Sequence, residues 1–580
     1  MGICLVALLL WYPVTHFDFL SYDDLTYFQY PEITNFSLTQ LPAFFDKLIV
    51  GNYIPLPSIS FAIEYALFGE NPKVFHAFNM VLHLINTLLV WQILLRFFPF
   101  QNLLSFALAL IFLCHPLQVE SVSWISCRGT LLSSLFLFLC LWFYLKNKTE
   151  KPTKSNVFAY SIFFILAVFS KPNTIVIPLY FVLIDWWKGT SLAAMFRPKY
   201  IIQKLPYFLI SVIMGMVVIR LTENSLNIDE PYTFFERTAL FFHSFAFYFY
   251  KFILPTGFSP FHYFPKAGFG LTYYLGLPFL AALVYFIFRM KGRDRYLALF
   301  ALGLIVVYLL PFTQIIPARP IFAAERYAYV PVFGLLILIG VALERLLEHK
   351  PNLKASIAIM LACALLFFAY TSRSYQKMWS NTNTLMLYGL SKLGDHPLQY
   401  TLLTILGIDA LRQNEVPKAL AYFELALEQE QNYPYLNNHY GLALAKNGEF
   451  EKAIRFFENI NQEGQKNATL LANLAGAYTA TGNHLKAIEL CNQAAEIRAE
   501  FYLIYTNRGI ARARLGQHTE ALEDYLLSLS LRPAQPDVYY FMGFSQNILG
   551  NTNNACSSWR QAAKLGHPEA QKIVNQNCSN

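Results

Sequence analysis

Between Met1 and about Tyr370 the chain runs apolar again and again, over stretches long enough to cross a bilayer. Backbone N–H and C=O groups inside hydrocarbon must be satisfied within the protein, so repeated single stretches of this length point to a bundle of membrane helices. The expected spans lie near 1–17, 75–97, 103–117, 129–145, 157–170, 173–187, 205–220, 271–288, 296–312, 328–345 and 355–371, which makes about 11. Met1 to Phe17 has no basic leader and no small-residue cleavage site, so it reads as a retained first helix that Pro13 interrupts. The composition agrees: only 14% of the 580 residues are charged, against about a quarter in soluble domains.

Loop charge sets the expected topology. Lys146–Lys154, Lys188–Lys204 and Arg289–Arg295 are basic and should face the cytoplasm. All three share that side only if the aromatic stretch 238–254, which contains His243 and Lys251, lies in the interface and does not span. The loops 18–74, 115–128, 221–270 and 313–327 then share the outer face with everything after 371. The net charge of +8 belongs to those loops, and no nucleic-acid partner is expected.

From about Pro397 the pattern changes to amphipathic helices with a fixed period. Gly407, Gly441, Ala475, Gly509 and Gly543 recur every 34 residues, and Ala419, Ala453, Ala487, Ala521 and Ala555 keep the same step. Phe423, Phe457, Cys491, Tyr525 and Trp559 follow in register, with turn residues at Asn414, Gly448, Gly482, Gly516 and Gly550. This is the tetratricopeptide (TPR) pattern: small residues let two antiparallel helices approach, and a bulky residue fills the gap to the next repeat. The expected organisation is all-α, with a transmembrane domain over 1–371, a linker over 372–396 and an α-solenoid of five repeats plus a capping segment over 397–580. Such arrays present a groove for a peptide or protein, although a spacer or oligomerisation rod would use the same pattern. The cysteines form no CxxC pair, and no disulfide framework is expected from their spacing.

Polar residues clustered on one side of a membrane domain are where chemistry is sought first. Tyr22-Asp23-Asp24 places adjacent carboxylates after the first span; one could act as a base or the pair could hold a divalent metal, and a solvated turn would also explain them. HPLQVESVSWISCRGT, residues 115–130, contributes His115, Glu120, Trp124 and Arg128. Arg128 could clamp a phosphate through paired N–H groups, or snorkel to headgroups. Glu325-Arg326-Tyr327 opens a later helix, with Arg319 nearby; the positive-inside rule gives no reason for these outer arginines, nor for Lys171 before Pro172. His76, Asn79, His83 and Asn86 share a helix stripe; interhelical hydrogen bonding accounts for His83 and Asn86, whereas His76 lies nearest the outer clusters. No P-loop, GxSxG, HExxH or GxGxxG occurs, which argues against a nucleotide-driven reaction.

Taken in order, SYDDLTYFQYPEI, GNYIPLPSISFAIEYALFG, HAFNMVLHLINTLL, HPLQVESVSWISCRGTLLS, SKPNTIVIPLYFVLIDWW, FILPTGFSPFHYFP and LPFTQIIPARPIFAAERYAYVPVFG resemble bacterial TPR-bearing membrane glycosyltransferase-like proteins. Those are similar to the eukaryotic transmembrane-and-TPR O-mannosyltransferases. The resemblance implies a GT-C fold and a polyprenyl-phosphate sugar as donor, with no certain cofactor. It also implies that Asp23 or Asp24 is the catalytic base and that Arg128 and Arg326 face the donor phosphate. Lys171 joins them as a candidate for the phosphate, and His76, His115, Glu120, Glu325 and Tyr327 are further candidates. The acceptor would be a protein held by the TPR groove, in a bacterial inner membrane with periplasmic repeats or an ER membrane with lumenal ones. This sequence departs from the family where Gly129-Thr130 follow Arg128 in place of an R-K-D-like run, and where Glu325 replaces the commoner Asp. A non-catalytic scaffold for envelope assembly and a ligase moving whole lipid-linked glycans are the competing expectations.

Overall fold

The structure is a computed structural model, and it describes residues 2–99, 101–149, 152–222, 232–264, 269–313, 321–394, 396–462 and 467–578. Arg319 lies outside these. The chain divides into two compact units, Met1–Lys392 and Leu393–Asn580.

The first unit is a helix bundle. Six of its helices are long and apolar enough to cross a membrane: Pro72–Phe97, Ile125–Lys148, Pro198–Leu221, Leu271–Arg289, Gly292–Phe312 and Pro351–Trp379. A seventh span arises if Asn102–Cys114 and Pro116–Ser123, bent by 49°, count as one. The expected number of about 11 is therefore not reached among the described residues by helices of this length. Gly2–His16 and Lys154–Ser170 are shorter apolar helices. Stretch 173–187 begins as a 3-10 turn, leaving an 11-residue helix, Ile177–Trp187, too short to cross about 30 Å. Pro331–His349 and Phe234–Ile253 are long enough, but each carries three charged side chains and falls outside the set of apolar spans. The latter covers the aromatic stretch expected in the interface, and Thr233 and Glu236 close its start as a capping box.

Ile125–Lys148 is the central helix, 72% buried, whereas Pro198–Leu221 and Leu271–Arg289 are only 17% and 11% buried and present apolar side chains outward. Polar side chains join the inner helices. His83 meets the Tyr329 hydroxyl at 2.7 Å and the Leu113 carbonyl at 3.2 Å, while Asn86 donates to the Leu131 carbonyl at 3.0 Å. These are the interhelical hydrogen bonds expected of His83 and Asn86. The only sheet among the described residues is a two-stranded antiparallel ribbon of His262–Tyr263 and Ile321–Ala323. The stretch expected as a linker is mostly helical, because Lys354–Gln376 continues past 371 and Thr382–Leu393 follows.

The second unit is five helix pairs, from Gln399–Arg412 with Val416–Leu427 to Pro536–Ile548 with Thr552–Lys564, closed by Ala570–Asn577. The turn residues do what their spacing implies: Asn414, Gly448, Gly482, Gly516 and Gly550 all have φ between 60° and 87°, a region that costs most side chains energy. The small residues are equally necessary. A Cβ added at Gly509 would stand 2.7 Å from the Tyr525 ring. Gly509→Ala is therefore expected to destabilise the array by about 1–3 kcal/mol, read as a lower melting temperature by circular dichroism. Leu526→Ser, at an exposed position, should leave that temperature unchanged.

The closing helix departs from the sequence expectation. Cys556 and Cys578 form a disulfide with Cα atoms 5.6 Å apart, fastening that helix to the last repeat. A separation of 22 residues does not by itself signal a pair, and only the fold brings the two together.

Candidate active site

Tyr22 and Asp23 lie in a turn after the first helix, and the 3-10 helix Asp24–Gln29 follows. The two carboxylates have different surroundings. Asp24 is buried; one oxygen accepts from the Leu20 N–H at 3.0 Å and the other from the N–H of Ser126 at 2.9 Å and its hydroxyl. Asp24 thus bolts the loop that follows the first helix to the 115–128 connector. Burial drives its pKa up to about 7, against the pull of these three donors. Asp23 lines a cavity of about 290 Å³. The Ser21 N–H, donating to the Thr382 hydroxyl at 2.9 Å, fixes the same turn from another helix.

The cavity wall also includes Trp124, Lys171, Phe312, Arg326 and Tyr327. Tyr22 stacks on Trp124 at 5.4 Å, and Trp124 stacks on Trp379 at 5.8 Å, so the aromatic wall is anchored in the bundle. Lys171 donates to the Thr130 hydroxyl at 2.7 Å and sits near the rings of Phe312 and Tyr327, themselves stacked at 4.0 Å. Here the departure at Gly129-Thr130 has a structural reading: Thr130 orients Lys171, and a Cβ at Gly129 would press to 3.2 Å from the Ser170 carbonyl.

Arg326 enters the cavity from the 3-10 turn Glu325–Ala328. Glu120 holds it twice, accepting from its backbone N–H at 2.7 Å and from its guanidinium. Burial opposes the guanidinium charge, but Glu120 more than offsets that and keeps the group protonated, well above its ordinary value. Glu325 does not line the cavity. It accepts from the Ser259 N–H at 3.1 Å and meets His262 at 2.8 Å. Burial pushes its pKa up, yet His262 and Lys251 outweigh this and hold it below the usual carboxylate range.

Besides Asp24, Glu120 and Glu325, three more expected site residues lie off the cavity wall. Arg128 is fully buried and is not part of the cavity wall. Its five N–H groups are all engaged, by Asn79, the Ser60 hydroxyl, both oxygens of Glu64 and the Phe75 carbonyl. It braces the helices Pro55–Phe68 and Pro72–Phe97 against Arg128–Thr149, and it has no donor left for a phosphate. His115 donates to the Phe252 carbonyl at 2.9 Å and accepts from the Leu117 N–H at 3.2 Å, a neutral ring that caps a turn. His76 is buried edge-on to Phe17 and also stays off the cavity.

Asn52, Tyr53, Ser126, Thr130 and Asn173 also line the cavity and were not singled out by sequence. Ordinary loop residues carry no signal of their own. Glu64 did carry one, as a lone charge in the apolar run SFAIEYALF. For a divalent metal at Asp23 and Asp24 the donor set is short, because both Asp24 oxygens already accept hydrogen bonds. Among the described residues no group of three or more His, Cys, Asp or Glu is gathered for a metal ion.

Tetratricopeptide repeat family profiles match residues 444–502 and 502–535. Among curated proteins, the chain is 21% identical over 585 residues to the human protein O-mannosyl-transferase TMTC3, covering 90% of this chain and 62% of that one. It is 23% identical over 377 residues to the Caenorhabditis elegans protein O-mannosyl-transferase F38B6.6, covering 63% and 52%. Mouse protein O-mannosyl-transferase TMTC1 is 33% identical over 96 residues, 17% of this chain and 10% of that protein. The chain therefore spans between 52% and 62% of the length of the first two relatives. Among solved structures, a thermophilic TPR protein of Thermus thermophilus covers 31% of this chain with a TM-score of 0.29 and 16% identity. By its fold this is a predominantly helical protein with several membrane-length helices and a C-terminal TPR array, and its sequence resembles the protein O-mannosyl-transferases.

Proposed function

We propose that the protein transfers a hexose, mannose being the first choice, from a polyprenyl-phosphate donor to a hydroxyl of a protein acceptor on the extracytoplasmic face. The observation that carries this reading is the single cavity that gathers Asp23 with Lys171 and Arg326 beside an aromatic wall. Asp23 takes the proton of the acceptor hydroxyl. The acceptor oxygen bonds to the anomeric carbon while the bond from that carbon to the phosphate oxygen breaks, inverting the centre. The electron pair leaves with the polyprenyl phosphate, whose added negative charge Lys171 and Arg326 stabilise. Glu120 and Asp24 position the reacting groups, Glu120 through Arg326 and Asp24 through the first loop. No nucleotide enters, in keeping with the missing nucleotide motifs.

The TPR array binds the acceptor polypeptide in this reading and raises its effective concentration. The Cys556–Cys578 disulfide supports an oxidising compartment for the repeats, since such bonds are rare in the cytosol. The test uses the purified full chain, a polyprenyl-phosphate mannose and acceptor polypeptides, with mass spectrometry of the product. One added hexose per site is expected, and Arg326→Gln should lower the turnover by about 10²–10³-fold. A transferred block of sugars would favour the ligase alternative, and an unchanged rate in both Arg326→Gln and Lys171→Gln would remove the cavity from the reaction.

A further inference from the structure

A second concave site lies away from the cavity, among the residues of the basic loops. The short helix Leu192–Met195 and the first half of Pro198–Thr222 fold against Ile177–Trp187 and enclose an apolar groove of about 420 Å³. Its wall includes Val182, Leu192, Phe196 and Leu205, and a single charged side chain, Lys204. Leu192 and Phe196 are also 66% and 79% exposed, an apolar edge presented to the surroundings beside the groove.

Lys204 belongs to a buried charge cluster that does not balance. Asp185, with no exposed side-chain surface, takes Lys148 at 2.9 Å and Lys204 at 3.1 Å, and accepts from the Tyr144 hydroxyl at 2.8 Å. Two ammonium groups thus share one carboxylate. Lys204, 9% exposed, is the member that reaches the groove, and Lys148, 34% exposed, keeps the cluster open at its other side. The segment from Lys188 to Lys204 adds Lys188, Arg197 and Lys199 and contains no acidic residue. An uncompensated positive charge in the wall of an apolar groove is complementary to a molecule with an anionic head and a hydrocarbon tail.

We propose that this groove binds an anionic phospholipid of the leaflet that contacts the basic loops, with an acyl chain along Val182, Phe196 and Leu205 and the phosphate against Lys204. The site is independent of the transfer reaction proposed above, because neither Lys204 nor Asp185 lines the cavity of Asp23.

The test is native mass spectrometry of the purified full chain released from micelles holding equal amounts of phosphatidylglycerol and phosphatidylcholine. The wild type should retain phosphatidylglycerol about fivefold over phosphatidylcholine, the preference one basic group gives. Lys204→Gln leaves Asp185 paired one-to-one with Lys148, so the fold should survive and the ratio should fall close to one. Val182→Trp fills the groove with the charges intact and should lose the bound lipid, whereas Lys199→Gln should retain the preference. Equal retention by the wild type overturns the proposal. So does a preference that survives in Lys204→Gln or Val182→Trp, or displacement of phosphatidylglycerol by a tenth as much polyprenyl phosphate, which would make the groove a donor site.

Discussion

Asp23→Asn is expected to slow sugar transfer by about 10²–10⁴-fold while leaving the melting temperature of the protein where it was. An amide of the same shape keeps the cavity wall but has no lone pair basic enough to take the acceptor proton. Asp24→Asn should behave in the opposite sense, because Asp24 lies beneath the cavity wall with both oxygens already accepting hydrogen bonds. Its folded pKa of about 7 stands above the ordinary value of 3.8. The folded form therefore binds the proton more tightly than the unfolded chain does. The stability linked to that proton is fully present below 3.8 and is lost as the pH rises to about 7. A melting temperature that falls between about pH 4 and pH 7 in the wild type and loses that slope in Asp24→Asn would identify the group. If Asp24→Asn abolished transfer at an unchanged melting profile while Asp23→Asn remained active, the two roles would have to be exchanged.

Arg128→Met is expected to destabilise the membrane unit by about 3–5 kcal/mol. The reason is Glu64, which is left buried without its bidentate partner. Replacing both, as Arg128→Met with Glu64→Met, should recover most of the loss, since the cost arises from the unpaired charge more than from the missing pair. Thermal unfolding in detergent checks the ordering of single and double variants. A phosphate-binding Arg128 predicts otherwise: the single variant would fold normally and show a raised KM for the lipid donor, and the double variant would recover nothing.

How far the sequence reached depends on the kind of signal each feature leaves. The repeats were fully legible, because the conformations at Asn414 and Gly448 and the close packing of Gly509 on Tyr525 are local demands, repeated at a fixed period. Membrane character was equally plain in the runs of apolar residues. The number of spans was not, since 173–187 and 75–97 look alike in composition, yet one is broken by a 3-10 turn and the other is a continuous helix of membrane length. Apolarity records that a segment avoids water; it does not record whether lipid or protein covers it.

The site divides along the same line. Asp23, Lys171, Arg326 and Tyr327 were each conspicuous as polar or charged residues at membrane boundaries, and all four line one cavity. Arg128 was as conspicuous as Arg326, and nothing in its neighbours distinguished them. The difference is a partner 64 residues away for Arg128 and one 206 residues away for Arg326, with the first arginine sealed and the second left facing open space. The pairing of Cys556 with Cys578 is of this kind too. The sequence by itself determined the class of each part and which residues were too costly to place idly at a membrane boundary, because hydropathy, turn chemistry and desolvation act on each residue where it stands. Only the tertiary structure decided which of those costs are offset internally and which groups remain for a substrate, because that depends on contacts between segments far apart in the chain.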